Sequence, residues 1–214
     1  MSNCDTYSPG CFVRKEGMIF IRDFFASAAF LLIATYCNPL WASSVNPLDL
    51  PDLVRKADVI ADATVTNLQS YTMWSPEGRT IHTRVSLSLN GSPIKGAVPS
   101  SIILDMLGGT MDGRRLVVEG VPQLQVGQRL IIFAHAPSEF YVSPFIGLDQ
   151  GAMRIAHDQT TNTDKVFRWW GQPVKESEPM TTRNPNGAVK AEEALTSAET
   201  VEHFLGRVKQ LLNQ

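Results

Sequence analysis

Residues 58–66 read DVIADATVT and residues 81–89 read IHTRVSLSL. The second stretch alternates Ile81, Thr83, Val85, Leu87 and Leu89 with His82, Arg84, Ser86 and Ser88, and the first alternates in its second half. A period of two sends successive side chains to opposite faces, so each stretch reads as a strand with one buried and one wet face. Ser75-Pro-Glu-Gly78 lies between them with proline at the second turn position, which predicts a long hairpin.

Outward from this hairpin the strand signals continue. Asn90-Gly-Ser-Pro93 and Lys95-Gly96 break the chain, and residues 101–107, SIILDML, resume before Gly108-Gly109. Further strands are expected at 115–119 and at 129–135, RLIIFAH, which is apolar on both faces and therefore central. Weaker strand signals lie at 140–142, 152–155 and 166–169. Short strands at this spacing without intervening helices mean a barrel or a sandwich. Before them, Pro51 opens a short helical turn with Leu50, Leu53 and Val54 on one face. After them, residues 171–195 are rich in proline and asparagine and read as a flexible linker. Residues 196–214 read as an amphipathic docking helix, with Thr196 to Glu199 as a capping box and Val201, Phe204, Leu205, Val208, Leu211 and Leu212 at helical spacing.

Composition bounds the function without naming it. The 214 residues carry 19 Lys and Arg against 21 Asp and Glu, a formal charge of -2 that gives no electrostatic reason for a nucleic-acid partner. A chain of this length can bury a core without metal or disulfide staples.

The amino terminus reads as an address. Residues 24–37, FFASAAFLLIATYC, form an apolar run preceded by Arg14, Lys15 and Arg22 and followed by Asn38-Pro39. A spanning helix needs about 20 apolar residues, and this shorter run suits the core of a signal peptide. Residues 1–44 are accordingly expected to be a cleaved leader, cut after Ala42 or after Ser44, with Met18 a second possible start; a short buried helix or a retained anchor is the competing reading. Lipidation at Cys37 fits poorly, because Tyr36 is bulky where Gly or Ala is usual. The cysteines are Cys4, Cys11 and Cys37, so cleavage leaves an exported domain of residues 45–170 and beyond with no cysteine and no membrane attachment.

Chemistry-bearing motifs are sparse. His82, His135, His157 and His203 show no ligand spacing for a metal, and His82 and His203 fall on polar faces as surface residues. His157-Asp158 precedes a turn-like Gln-Thr-Thr-Asn-Thr-Asp and reads as a solvated loop. Ser92-Pro-Ile-Lys95 has a nucleophile-and-base spacing, but it sits in a proline- and glycine-flanked break and not on the helix that such chemistry uses. Gly108-Gly109 lacks the lysine and helix of a phosphate loop. No catalytic residue, metal ligand or cofactor is therefore assigned. The candidate binding residues are Trp74, in the hairpin loop, and Trp169 and Trp170, since Trp offers large contact area at small entropic cost; packing in the core is the competing reading.

The order Ala57-Asp58-Val-Ile-Ala-Asp-Ala-Thr-Val65, Thr83-Arg-Val-Ser-Leu-Ser-Leu89, Ile94-Lys-Gly96, Ile103-Leu-Asp-Met-Leu-Gly-Gly109 and Val126-Gly-Gln-Arg-Leu-Ile-Ile-Phe133 resembles an uncharacterised family of exported bacterial β proteins. Members of that family tend to be encoded near secreted metalloproteases of the matrixin type. The order is also distantly similar to the netrin-like OB-fold of the tissue inhibitors of metalloproteinases. The resemblance spans about residues 50 to 135 and implies an OB-like β-barrel that binds or restrains a secreted metalloprotease or another exported protein. Those inhibitors present an N-terminal cysteine to the protease zinc; the mature chain has none, so no functional residue is carried over.

The expectation is thus an exported, periplasmic or extracellular, non-enzymatic binding domain, with a carbohydrate-binding or surface-associated module as the alternative. Mass spectrometry of the exported protein should find a mature terminus at Ser43 or Val45; an intact leader in that fraction refutes cleavage.

Overall fold

The computed structural model describes residues 46–75, 78–174 and 191–214; the chain divides into two units, Met1–Ser44 and Val45–Gln214, and all of these lie in the second. The expected leader falls outside the described residues. In chain order the elements are α1 (Leu50–Lys56), β1 (Val59–Ser75), β2 (Gly78–Leu89), β3 (Ser101–Leu107), β4 (Gly109–Met111), β5 (Arg114–Leu116), β6 (Arg129–Ala134), β7 (Ala152–Asp158), β8 (Thr163–Phe167), α2 (Ala191–Ser197) and α3 (Val201–Leu212). The protein is mainly β, as its alternation predicts.

The hairpin forms and is longer than its alternating stretches. β1 and β2 pair antiparallel from Ser75↔Gly78 to Ala63↔Leu89, with a register shift between Val65 and Asn67. β3 adds to β2, β6 to the other side of β1, then β7 and β8, giving one antiparallel sheet in the order β3-β2-β1-β6-β7-β8. β4 and β5 form a separate two-stranded ribbon.

Among the described residues no closed barrel is found, which corrects that part of the expected fold. Closure needs β3 and β8 to pair, but the outer edge of β8 is taken by other segments and β3 gives its last amide to a loop. The Val166 amide on β8 donates to the Glu199 carbonyl at 2.9 Å, Phe167 bridges to Pro173, and the Leu107 amide at the end of β3 donates to the Val142 carbonyl at 2.9 Å.

β6 explains why the sheet carries a core on each side. Its Leu130, Ile132 and Ala134 join Val59, Ala61 and Ala63 of β1, Val85 and Leu87 of β2, and Ile102, Leu104 and Met106 of β3 in one cluster. Ile131 and Phe133 point the other way, where Ile60, Met153 and Val166 meet Leu50, Leu53 and Val54 of α1 and Val201, Phe204 and Val208 of α3. Each Val, Leu, Ile, Phe or Met among them contributes roughly 1.5–3 kcal/mol on full burial.

α1 and α3 each carry a side-chain cap at the amino end. The Asp49 carboxylate accepts from the Asp52 amide at 2.7 Å, and Lys95 Nζ donates to the Val54 and Arg55 carbonyls at 2.8 and 3.2 Å, closing the other end of α1. The lysine of the Ser92 to Lys95 motif is thus engaged in holding a helix. α3 begins later than expected: Thr200, not Thr196, is its cap and accepts from the His203 amide, while Thr196 lies in the last turn of the separate helix α2. Glu199 instead binds His203 and Arg207 through its side chain. Of the stretch expected as linker, residues 175–190 lie outside the described residues, but Pro173 pairs with Phe167, Val174 is buried, and α2 buries Ala194.

The docking of α3 rests on Phe204, which is fully buried and meets the Phe133 ring edge-on at 6.3 Å. Phe204→Ala should cost about 3–5 kcal/mol of unfolding free energy by urea titration, against little change for the exposed Lys209→Ala.

Candidate functional site

Three sequence-predicted tryptophans occupy different settings. Trp74 lies not in the hairpin loop but on β1, paired with Arg79 one residue from the strand's end, and is 78% exposed. Trp169 and Trp170 do not continue a strand: β8 stops at Phe167, and the chain turns through Arg168–Gly171, closed by the Gly171 amide donating to the Arg168 carbonyl at 2.9 Å. Gly171 takes φ +85, which releases the chain to return beside Phe167. The two indoles are the central residues of this turn. Trp169 packs on the inner core with the Arg154 guanidinium 6.0 Å above its ring. Trp170 is 46% exposed and donates its indole N–H to Asp149 Oδ2 at 2.5 Å.

The structure does not bring Trp74 to the same place. The sheet register sets Ala61 beside Ile132 and Ile132 beside Ala152, the level at which the chain turns through the tryptophan pair. Trp74 lies far along β1 from Ala61, on the order of 40 Å of strand path at about 3.3 Å per residue.

Asp149 is the residue that sequence reading missed. It lies in residues 143–151, SPFIGLDQG, a compact loop between β6 and β7. Gly147 and Leu148 both take left-handed conformations, φ +64 and +67. For glycine that is free; for a leucine it costs of order 1 kcal/mol and must be held by its surroundings. The hold is visible: the Ser143 hydroxyl donates to the Leu148 carbonyl at 2.9 Å, and the Gln150 amide donates to Gly147 and Asn46 carbonyls while accepting from the Leu48 amide at 2.8 Å. Gly151 has no room for a side chain, because a Cβ there falls 2.5 Å from the Phe133 carbonyl oxygen. The loop is therefore rigid, and it places Asp149 at 2% exposure.

A carboxylate in that position is expensive. Its Oδ1 has no hydrogen-bond partner among the described residues, and Oδ2 has the Trp170 indole. Burial pushes its pKa up from 3.8 to about 6; the bonds from Trp170 and from its own backbone amide act against that rise, and the Glu119 charge adds to it. A carboxyl that changes charge near pH 6 beneath a half-exposed indole, in a strained loop, is the strongest concentration of perturbed groups in the described chain. It can hold the indole in one orientation while part of the residue stays exposed.

The other polar constellations are structural in form. Asp62 grips Arg129 through two oxygens, Arg129 Nη1 reaches Asp164 Oδ2 at 2.5 Å, and Asp164 Oδ1 meets His157 Nδ1 at 2.8 Å, a chain of charges tying β1, β6, β7 and β8. The His157 hydrogen bond, followed by Arg129, holds the Asp164 carboxyl below its usual range. His157 is thus on a strand and paired with Asp164, while Asp158 serves the next turn by accepting from Thr160 and Thr161. His82 is not the surface residue its polar-face position suggests. It is 3% exposed, lying between the Tyr71 and Phe140 rings at 5.6 and 5.0 Å, and burial lowers its pKa. Gly108 and Gly109 lie against Thr83 and Ser70, whose hydroxyls line a cavity of about 190 Å³ with Leu68, Met106 and Leu124. Among the described residues no group of His, Cys, Asp and Glu could hold a metal ion.

The raised Asp149 pKa carries a sign. Between about pH 4 and 6 the native state holds a proton that the unfolded chain has released, so this group makes stability fall as pH rises through that window, by up to ~3 kcal/mol for a shift of this size. Asp149→Asn keeps an acceptor for the indole and removes the charge. Urea titrations at stepped pH should show the variant gaining on the wild type from pH 4 to 7; parallel profiles refute the assignment. No family model, curated protein or solved structure matches the chain.

Proposed function

We propose that the protein is an exported, non-enzymatic domain that acts by protein–protein contact, and that Trp170 is its anchor. The observation that carries this reading is the half-exposed indole pinned by a buried carboxylate. Interface energy concentrates in aromatic side chains held in their bound orientation before the partner arrives, because ordering them costs nothing further on binding. Asp149 and the rigid loop beneath it supply that orientation.

A secreted metalloprotease is the partner that the family resemblance implies. The OB-like reading of the sheet draws support from the way one face of β1, β2, β3, β6 and β7 converges on a single cluster, with Val142 and Phe145 reaching the ends of β3 and β6. Export follows from the leader-like residues 1–44. The carbohydrate alternative asks for tryptophans gathered on one groove, and the separation of Trp74 from the tryptophan turn favours the protein-binding reading over it.

Pull-down from the exported fraction with the protein as bait should recover a discrete partner, weakened at least tenfold by Trp170→Ala and little by Trp74→Ala. Equal recovery by Trp170→Ala and wild type overturns the anchor role. Retention on polysaccharide columns that is lost with Trp74→Ala supports the carbohydrate module instead.

A further inference from the structure

The two edges of the sheet are unequal. On β8 the outer edge is occupied by Glu199, Thr200 and Pro173. On β3 the Leu89 amide donates to the Ser100 carbonyl and the Gly108 amide to the Ile81 carbonyl, both at 2.8 Å, so the even-numbered backbone groups of β3 face β2 and the odd-numbered ones face outward. Leu107 spends its outward amide on Val142. The outward groups of Ser101, Ile103 and Asp105 have no partner among the described residues.

Proteins blunt such edges with proline, lysine, bulges or covering segments. SIILDML has none of these before Leu107, and Ile103 at its centre is 54% exposed.

We propose that β3 pairs antiparallel with β3 of a second copy of this chain, about a two-fold axis through Ile103. That register matches the free groups of Ser101, Ile103 and Asp105. Ile103 faces its equivalent, Ser101 faces the second copy's Asp105 and Asp105 its Ser101, and about six ladder hydrogen bonds form. The charges fit it as well. Asp105 is already neutralised by Arg84 through two bonds of 3.1 Å, and opposite a serine it meets a donor; a two-fold axis moved to Asp105 sets two carboxylates against each other. Val142 at Leu107 ends the available edge, which fixes the length of the pairing. The net charge of -2 leaves little repulsion between copies. The partner is the chain itself, so the surface involved is distinct from the tryptophan turn, and failure here leaves the Trp170 reading standing.

Sedimentation velocity of the full chain across a micromolar concentration series tests this, each variant sharing the wild-type terminus so that association through residues 1–45 is common to all. Wild type should show a monomer–dimer equilibrium. Ser101→Asp, which sets like charges opposite at two places, should raise the dissociation constant about tenfold, and Ser101→Lys, which sets opposite charges there, should lower it. Ile103→Pro deletes only an outward amide, so it should abolish the dimer while circular dichroism and the urea midpoint stay near wild type. A monomer throughout the series, or a dimer indifferent to the sign of charge at residue 101, overturns the proposal; an extended peptide that binds β3 while the chain stays monomeric does so too.

Discussion

The burial of β6 on both faces is the constraint on which the rest depends. A strand flanked by β1 and β7 has its backbone satisfied on both edges, and RLIIFA then demands apolar cover above and below. On one side the cover comes from the sheet's own strands, with Val85 and Leu87 of β2 and Ile102, Leu104 and Met106 of β3 in the same cluster as Leu130 and Ile132. On the other, strands do not suffice, and α1 and α3 are brought in from opposite ends of the described chain to cover Ile131 and Phe133. The helices are therefore consequences of one doubly apolar strand. So is the tight Ser143–Gly151 loop, because the Phe133 amide donates to the Gly151 carbonyl and the Ile146 amide to Phe133, which folds that loop back along β6.

The strain at Leu148 and the buried charge at Asp149 follow from this folding back. A loop that must pair with the strand it leaves has few conformations, and this one accepts a left-handed leucine and an ion without full solvation. Such costs persist only where neighbours over-determine them. Here those neighbours are Ser143, Gln150 and the tryptophan turn.

Period and punctuation made the sheet legible. The alternation in 81–89, the proline turn before it and the unbroken apolarity of 130–134 are sufficient to place the hairpin and its central neighbour. What escaped was decided by tertiary partners. Closure turned on what else the edges could bond, and no local pattern reveals that Glu199 will meet Val166. His82 sits on the wet face by alternation and becomes buried because Phe140, far along the chain, lies over it. The start of α3 slipped from Thr196 to Thr200 because both have the capping chemistry and packing against Phe133 selects the register. Of the site, Trp170 was visible as a residue type; Asp149 was not, since an aspartate between glycines reads as an ordinary turn. The one signal was its setting, Phe-Ile-Gly-Leu before it and Gln-Gly after, a polar residue in an apolar, glycine-bounded stretch.

The Gln150 side chain has a kinetic meaning. It joins Asn46 and Leu48 to a loop just over a hundred positions away, and β1 meets β6 across 65 to 75 positions, from Thr64↔Arg129 to Val59↔Ala134. Contacts of that range are slow to find, since the entropy of closing the intervening chain is lost before any packing is gained. Synthesis makes the delay absolute: neither core can close until the ribosome has delivered residue 150. Before β6 is made, the described chain has only α1, the β1 to β3 meander and the β4–β5 ribbon to fold, and both cores stay open.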